Sequence, residues 1–366
     1  MSRLKTIDID PQNKTVRVGA GVTQGELTNA LSNTGFYTAL GDEGILGLIG
    51  VLLGGGIGLL SRHKGPGCDS LVGTTMVLAD SRVVKTDFKK NHDLFWASRG
   101  GGGGNFGIVT SFTMQLYVAP TFVVVWECVF PLTQFFAAYD TWQRWAPFVS
   151  DTRLSSKCFV FNNRVDIRGI FLGTETELGN LLAPILAVPG GVCTQTQKPF
   201  GEWFHSTPGV EQAFQKYSPM WVFKPFPSEA LQSIHQFILN APSDESNFFS
   251  LAWGGHTEQV PKGGTAFPRS HRKAIFYSEP GAEWSDPTIN AEALTWVEGL
   301  RLALRPYFCG GYVNVLDRSI AQYGREYYGR KNFGTLQRIK KARDPTNVFH
   351  FEQSIPLCNP GKECEK

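Results

Sequence analysis

The chain has 366 residues, 42% hydrophobic and 18% charged, with a formal net charge of +3. That length accommodates two domains, and that balance excludes a disordered or collagen-like chain. The small charge forms no basic stripe, so nucleic acid is excluded as a partner.

The 27 Phe, 9 Trp and 10 Tyr residues predict an aromatic interior. Seven cysteines (Cys68, Cys128, Cys158, Cys193, Cys309, Cys358 and Cys364) include no C-x-x-C, which argues against a zinc or thioredoxin-type site. Cys358 and Cys364 are spaced to pair in the tail, and the odd total leaves at least one thiol without an intrachain partner. The opening M-S-R-L-K-T-I-D-I-D lacks the apolar core of a secretory signal.

In chain order, residues 6–10 and 15–19 alternate around Pro11-Gln12-Asn13-Lys14, a hairpin pattern. Residues 26–33 place Leu27, Ala30 and Leu31 at helical spacing and stop before Gly35. Residues 44–60 then run 17 positions without a charge, which raises the alternative of a membrane helix. Seven of those positions are glycine. Each costs a helix about 1 kcal/mol against alanine, and the run stands at the short limit for a bilayer. A glycine-dense loop is the better reading, and no membrane partner is expected.

Residues 74–78 and 82–85 predict a second hairpin around Ala79-Asp80-Ser81. Residues 100–104 are five glycines between Leu94-Phe95-Trp96 and the alternating, β-branched stretch 108–116. With no polar spacer they read as a structured turn rather than a linker. Gly102 to Gly107 fits G-x-G-x-x-G, but that fingerprint needs a helix after it. A strand follows instead, so a nicotinamide-type Rossmann site fails on context. Successive N–H groups in such glycine loops can form a nest for a pyrophosphate, which suits a large, flat, phosphate-bearing cofactor.

From about Tyr117 the texture changes. Strands are expected over 122–130, 158–162 and 164–171, and helices over 132–145, 175–186, 228–238 and 291–304. The C-terminal part carries G-G-Y-V-N-V-L-D at 310–317, a charged helix over 327–341, and a turn at Asp344-Pro345. The order of elements is that of an α+β fold rather than a βαβ repeat. There is no G-x-S-x-G elbow, Walker A loop or H-E-x-x-H, and the seven histidines show no metal-ligand spacing.

Four blocks now carry a resemblance: L-G-G-G-I-G-L-L-S-R at 53–62, D-L-F-W-A-S-R-G-G-G-G-G-N-F-G-I-V-T at 93–110, G-G-Y-V-N-V-L-D at 310–317 and R-D-P-T-N-V-F-H-F-E-Q-S-I-P at 343–356. Together and in this order they resemble the berberine-bridge-enzyme-like FAD-linked oxidoreductases of the vanillyl-alcohol oxidase superfamily, which have a PCMH-type FAD-binding domain. The resemblance implies an FAD domain built from 1–118 and completed by the segment 318–366. Between them, 119–317 would be a substrate domain whose antiparallel sheet, covered by helices, roofs the flavin ring. It implies FAD contacts at Gly41, Gly44, Gly47, Gly54, Gly55, Gly107, Ile108, Tyr312 and Asn314. Gln353, on the closing Q-S-I-P segment, either touches the ring or fixes the turn. Glu43, beside the glycine loop, either tunes the flavin or is a solvated acid.

Three departures from the family pattern stand out. The R-S-G-G-H-type loop that binds pyrophosphate, and whose His often links to the flavin, is not found ahead of M-S-R-L-K. The position of the second covalent link is Glu43 rather than Cys, and Cys68 lies too far along. Val315 stands where many members carry a tyrosine base.

Candidates for proton transfer are then Tyr312, whose ordinary pKa of about 10 is too high for a base without a partner, and His256, expected on a strand facing the ring. His63 reads as packing, and Asp317 either orients a base or caps a helix. The implied activity is oxidation of a small organic substrate, an alcohol, sugar or secondary metabolite, by hydride transfer to flavin N5, with O2 as acceptor. The rival is a non-catalytic remnant with weak FAD binding.

Overall fold

The computed structural model describes residues 2–205 and 214–358. Strand β1 (Ile7–Asp10) pairs antiparallel with β2 (Thr15–Gly19), as the hairpin pattern predicts. Helix α1 (Gln24–Leu31) starts with a capping box. The Thr23 hydroxyl accepts from the Glu26 N–H while the Glu26 carboxylate accepts from the Thr23 N–H. This satisfies two donors that a helix start leaves bare. Strand β3 (Phe36–Tyr37) pairs with the later β7 (Tyr117–Val118).

The uncharged run is no membrane rod. It holds the seven-residue α2 (Leu48–Gly54), and Gly55 at φ +144° ends that helix. Among the described residues no helix is long and apolar enough to cross a membrane. The short α3 (Ser61–Lys64) follows, then β4 (Leu71–Val77) and β5 (Val83–Thr86), which form the second hairpin. Helix α4 (His92–Ala97) leads into the five-glycine turn, where Gly100, Gly102 and Gly104 all take positive φ. Strand β6 (Ile108–Gln115) comes next, confirming that a strand follows the glycines.

These strands make a five-stranded antiparallel sheet in the order β1-β2-β6-β4-β5. Its alternation buries Val16, Val18, Met76, Phe112 and Met114 together with Leu27, Leu31, Leu52 and Leu94 from the helices.

A second antiparallel sheet has eight strands. They are β8 (Phe122–Pro131), β9 (Leu154–Val160), β10 (Arg164–Phe171), β11 (Val192–Pro199), β12 (Phe214–Tyr217), β13 (Met220–Val222), β14 (Asn247–Ala252) and β15 (Phe276–Trp284). Their order is β11-β8-β10-β9-β14-β15-β12, with β13 also on β15. Helices α5 (Phe135–Trp145), α9 (Ser228–Leu239) and α10 (Asn290–Ala303) bury one face around Trp126, Trp142, Phe248 and Phe276. The fold is thus α+β, with antiparallel sheets covered by helices, as expected.

The last helix, α11 (Tyr323–Arg343), returns to the first core through Tyr327, Tyr328, Leu336 and Ile339.

Several expectations need correction. The helix over 175–186 is broken into α6 (Glu175–Leu178), a 3-10 turn and α7 (Ala183–Leu186), because Gly179 takes φ +46°. The helix expected from 132 opens as a 3-10 turn and becomes α-helical only at Phe135. The strand expected over 158–162 runs from Leu154 to Val160. The final helix starts earlier than 327 and is kinked at Gly329. Sequence reading passed over β11 to β15 and α8 (Phe200–His205). It also missed the disulfide between Cys128 and Cys193, residues directly opposite each other on β8 and β11. Cys364, the expected partner of Cys358, lies outside the described residues.

One buried charge ties α3 to the eight-stranded sheet and the loops beside it. Arg62 of α3 is 1% exposed. Its guanidinium donates to the carbonyls of Leu154 (3.0 Å), Pro147 (2.8 Å), Val149 (2.6 Å) and Trp253. Burial pulls its pKa down to about 10, and only the convergence of four acceptors offsets the desolvation. Arg62→Met should therefore leave four inward carbonyls without their donor and cost about 3 kcal/mol, read as a lower urea midpoint at unchanged slope.

Candidate functional site

The four sequence blocks meet in space. The amide N–H groups of Gly100 and Gly102 both donate to the Leu53 carbonyl at the end of α2, each at 2.9 Å. Lys340 of α11, fully buried, donates to the Asn105 carbonyl at 2.8 Å and to Asp344 at 2.7 Å. The Asn105 side chain in turn accepts from the Ile355 N–H at 2.8 Å. The closing Q-S-I-P segment is thus clamped to the second glycine turn.

The 310–317 segment lies against the first loop. Tyr312 Oη accepts from the Gly56 N–H and from Asn314 Nδ2, both at 2.8 Å, and Asn314 Nδ2 also donates to the Val51 carbonyl.

The glycines divide into two sets. Gly54, Gly55 and Gly107 are buried and serve close packing. A Cβ on Gly54 would stand 1.9 Å from Asn314 Oδ1, one on Gly55 2.9 Å from the Phe267 ring, and one on Gly107 2.7 Å from the Val77 carbonyl. Gly41 and Gly44 anchor the loop to α1: Gln24 packs on Gly41, and the Gly44 carbonyl accepts from the Gly25 N–H. By contrast, Gly47 and Gly50 are exposed with nothing within 4 Å of where a Cβ would stand, and Gly104 is exposed with only the Phe351 ring nearby. Exposed apolar side chains neighbour this lip in sequence or space: Ile45, Leu46, Ile108, Leu316 and Phe351. A side-chain-free backbone lip, apolar neighbours and the exposed Asn314 amide fit a large flat cofactor with a phosphate tail.

Opposite the loop stands the face of the eight-stranded sheet that the helices leave open. Cross-strand partners form one row, Glu127, Arg168, Lys157, Leu251, Tyr277 and Trp221. A second row runs Asp166, Phe159, Phe249 and Glu279. The Tyr217 ring lies over Gly281, where a Cβ would meet it at 2.5 Å, and its hydroxyl donates to Glu283.

The Tyr277 ring packs edge-on against Tyr312, centroids 5.8 Å apart, and its hydroxyl donates to the Glu279 carboxylate. Burial pushes Glu279 up to about 7, against the pull of the Tyr277 hydrogen bond and of Lys157. A carboxylic acid poised near neutrality is a proton acceptor in waiting. Sequence reading did not single out Glu279. The alternation of β15, with Tyr277, Glu279, Gly281 and Glu283 on one face, was the signal available.

The other candidates fall as follows. Tyr312 is buried and accepts two hydrogen bonds, and burial raises its pKa above the ordinary phenol range. It therefore orders the loop better than it would take a proton. His256 is not on a strand; it sits in a 3-10 turn after β14 and Trp253, packed near α3, and burial lowers its pKa. His63 is held near 4 by burial and by Lys64, so it stays neutral. Asp317 does not cap the helix that follows, whose first turn is preceded by Gln322. It is a buried carboxylate receiving Lys216, Ser218 and Ser319. Gln353 fixes the turn, donating to the Asp317 carbonyl and accepting from the Tyr327 hydroxyl. Glu43 is exposed on the first glycine loop, with its carboxyl raised first by desolvation. Cys68 is a buried thiol, as expected. Among the described residues no cluster of His, Cys, Asp or Glu is arranged to hold a metal.

Comparison with known proteins adds the rest. A family model described as FAD binding domain matches residues 1–87, and one described as berberine and berberine like matches residues 311–356. The uncharacterized FAD-linked oxidoreductase YvdP of Bacillus subtilis is 36% identical over 97% of this chain and 81% of its own length. Tetrahydroberberine oxidase of Berberis wilsoniae is 26% identical, over 96% of this chain and 75% of that protein. The structure of Physcomitrella patens BBE-like 1 superposes with a TM-score of 0.90 at 26% identity, covering 98% of this chain and 81% of that one.

Two predictions follow from the geometry. Gly55→Ala places a Cβ at φ +144° against Phe267 and Tyr312 and should cost about 2–4 kcal/mol. Gly54→Ala needs only the exposed Asn314 amide to swing away and should cost about 1–2 kcal/mol. Urea unfolding of the two variants checks the order. For Glu279, an acid whose folded pKa is raised, the unfolded chain loses its proton first, so this group's contribution to stability falls as pH rises from its ordinary range through about 7. Glu279→Gln should therefore stabilise the fold at pH ~8.5 relative to pH ~5, measured as the difference in unfolding midpoints.

Proposed function

We propose that this chain, which belongs to the berberine-like FAD-linked oxidoreductases, oxidises a small organic molecule, an alcohol, sugar or secondary metabolite, in the cleft between the glycine lip and the eight-stranded sheet. FAD, when bound, supplies a two-electron acceptor for hydride from a substrate C–H bond, and O2 as final acceptor accords with the oxidase activity in the name of the Berberis relative. In this reading residues 1–118 and 318–366 hold FAD, through the backbone of Gly41, Gly44, Gly47 and Ile108 and the side chain of Glu43, with the Asn314 amide reaching in from the segment just before 318, while Gly54, Gly55, Gly107, Tyr312 and Gln353 shape the loops that receive it. Residues 119–317 hold the substrate.

The observation that carries the reading is Glu279, half-buried, near neutrality, and joined through Tyr277 to Tyr312 at the glycine loop. Glu279 takes the proton that leaves the substrate O–H or N–H as its C–H bond is oxidised. Tyr277 holds the carboxylate in line by donating to it. Phe159, Phe249 and Trp221 wall the cleft and restrict water, which strengthens each polar contact inside. Asn314 and Tyr312 keep the first loop closed against the 310–317 segment. His256, the other proton-transfer candidate, stands on its turn beside α3 as a less favoured alternative.

The test is to purify the chain with added FAD and record flavin content, then flavin bleaching against alcohols, sugars and alkaloid-like amines. Stoichiometric yellow protein bleached by one class supports the proposal, and a folded protein that takes up no flavin refutes it in favour of a remnant. In the active case Glu279→Gln should keep its flavin and lose about 100-fold or more in reduction rate. The wild-type rate should climb with pH through about 7, because only the deprotonated carboxylate accepts a proton.

A further inference from the structure

An ion pair joins the first glycine loop to the eight-stranded sheet on the face that carries Glu279. Lys157, on β9, gives its ammonium to Asp42 of the glycine loop at 2.7 Å, with side chains 16% and 23% exposed. Asp42 is held on its other oxygen, where Oδ1 accepts from the Leu59 N–H at 3.1 Å. Gly58 makes this possible, since a Cβ there would stand 2.7 Å from that same oxygen. The carboxylate is thus pinned by backbone on one side and by Lys157 on the other.

The Lys157 ammonium also lies over the Phe249 ring, 5.8 Å from its centre. Phe249 is the direct cross-strand partner of Glu279. Phe249, on β14, therefore lies between the strand of the cation and the strand of the carboxylate, in a half-buried setting where charges are weakly screened.

The titratable and charged groups around Glu279 come from every side: Tyr277 and Glu283 on β15, Tyr217 on β12, Lys157 on β9, Arg168 on β10, Asp42 and Glu43 on the loop, and Tyr312 behind. Arg168 stacks on Phe159 instead, 4.5 Å from the ring centre, and is exposed. Lys157 is the cation that acts on Glu279.

We infer that Lys157 is a positioning residue for the proposed reaction: anchored by Asp42, it sets the charge state of Glu279 from across β14. The inference rests on Glu279 as the proton acceptor, but the charge coupling fails separately, because the titration of Glu279 can be followed without turnover.

The pair makes an unusual prediction about sign. Lys157 attracts the ionised Glu279, and Asp42 offsets part of that attraction. Removing the cation must make Glu279 harder to ionise, and removing the anion must make it easier. A merely structural latch behaves otherwise: breaking it from either side loosens the same contact and admits water, moving Glu279 the same way in both variants.

The experiment uses the full chain labelled with 13C at the glutamate carboxyl carbon, with the Glu279 signal identified by its loss in Glu279→Gln. Its titration midpoint is compared in the wild type, Lys157→Met, Lys157→Arg and Asp42→Asn. The midpoint should rise by about one pH unit in Lys157→Met, fall in Asp42→Asn and stay within a few tenths of a unit in Lys157→Arg. Shifts of Lys157→Met and Asp42→Asn in the same direction, or no shift in Asp42→Asn, overturn the inference. Should Lys157→Met fail to fold, Asp42→Asn against Lys157→Arg still decides it. Opposite shifts combined with undiminished turnover of Glu279→Gln would leave the charge coupling of Lys157 to Glu279 standing, but would sink the proposed role of Glu279 and with it the positioning role of Lys157.

Discussion

At Gly54 the Asn314 amide fills the space that any side chain would need, and two residues on, the Gly56 N–H donates to Tyr312. This backbone-to-side-chain contact joins parts of the chain about 260 positions apart, and the remainder of the site is arranged around it. It brings the 310–317 segment onto the end of α2, whose Leu53 carbonyl in turn receives the second glycine turn. The physical requirement is absence. Only a residue without Cβ lets a polar side chain rest on the backbone and satisfy its hydrogen bonds there.

Around this contact the fold places its buried charges with economy. Among the described residues Arg62 has no carboxylate partner, yet four carbonyls converge on it. Lys340 combines one carboxylate with two carbonyls, and Asp317 gathers an ammonium and two hydroxyls. Each would be costly if left bare, and each instead pins segments distant in the chain. Together they hold the first glycine loop, the eight-stranded sheet and the closing segment in fixed relation, which is what a cleft needs if a carboxylate on one wall is to meet a reacting group on the other.

The cleft itself combines two environments. Aromatic walls from Phe159, Phe249, Tyr277 and Trp221 supply low polarity, and a small set of charges lies among them. Low polarity raises Glu279, while Lys157 and Tyr277 hold it back from the higher value that burial alone would give. The balance between these opposed effects leaves the carboxyl group near neutrality.

Much of this was legible in the residues alone. Hairpins at either side of the first loop, the strand after the second glycine turn, the α+β class, and the kinship carried by four motif blocks all follow from short-range patterns: alternation of two, helical spacing, and glycine where no side chain fits. The broken helix at Gly179 and the turn that removes His256 from its expected strand were not legible, because a local pattern does not say when a neighbour will override it. Nor were Glu279, Arg62 or the Lys157–Asp42 pair. Their roles are set by which strands lie side by side and by how much water is excluded, and in an antiparallel sheet of non-sequential order those partners are far apart in the chain. The sequence by itself determined the α+β class, the elements around the two glycine loops and the cofactor class they favour. Only the tertiary structure decided which acid is held near neutrality, because desolvation and cross-strand charge exist only once the chain has closed.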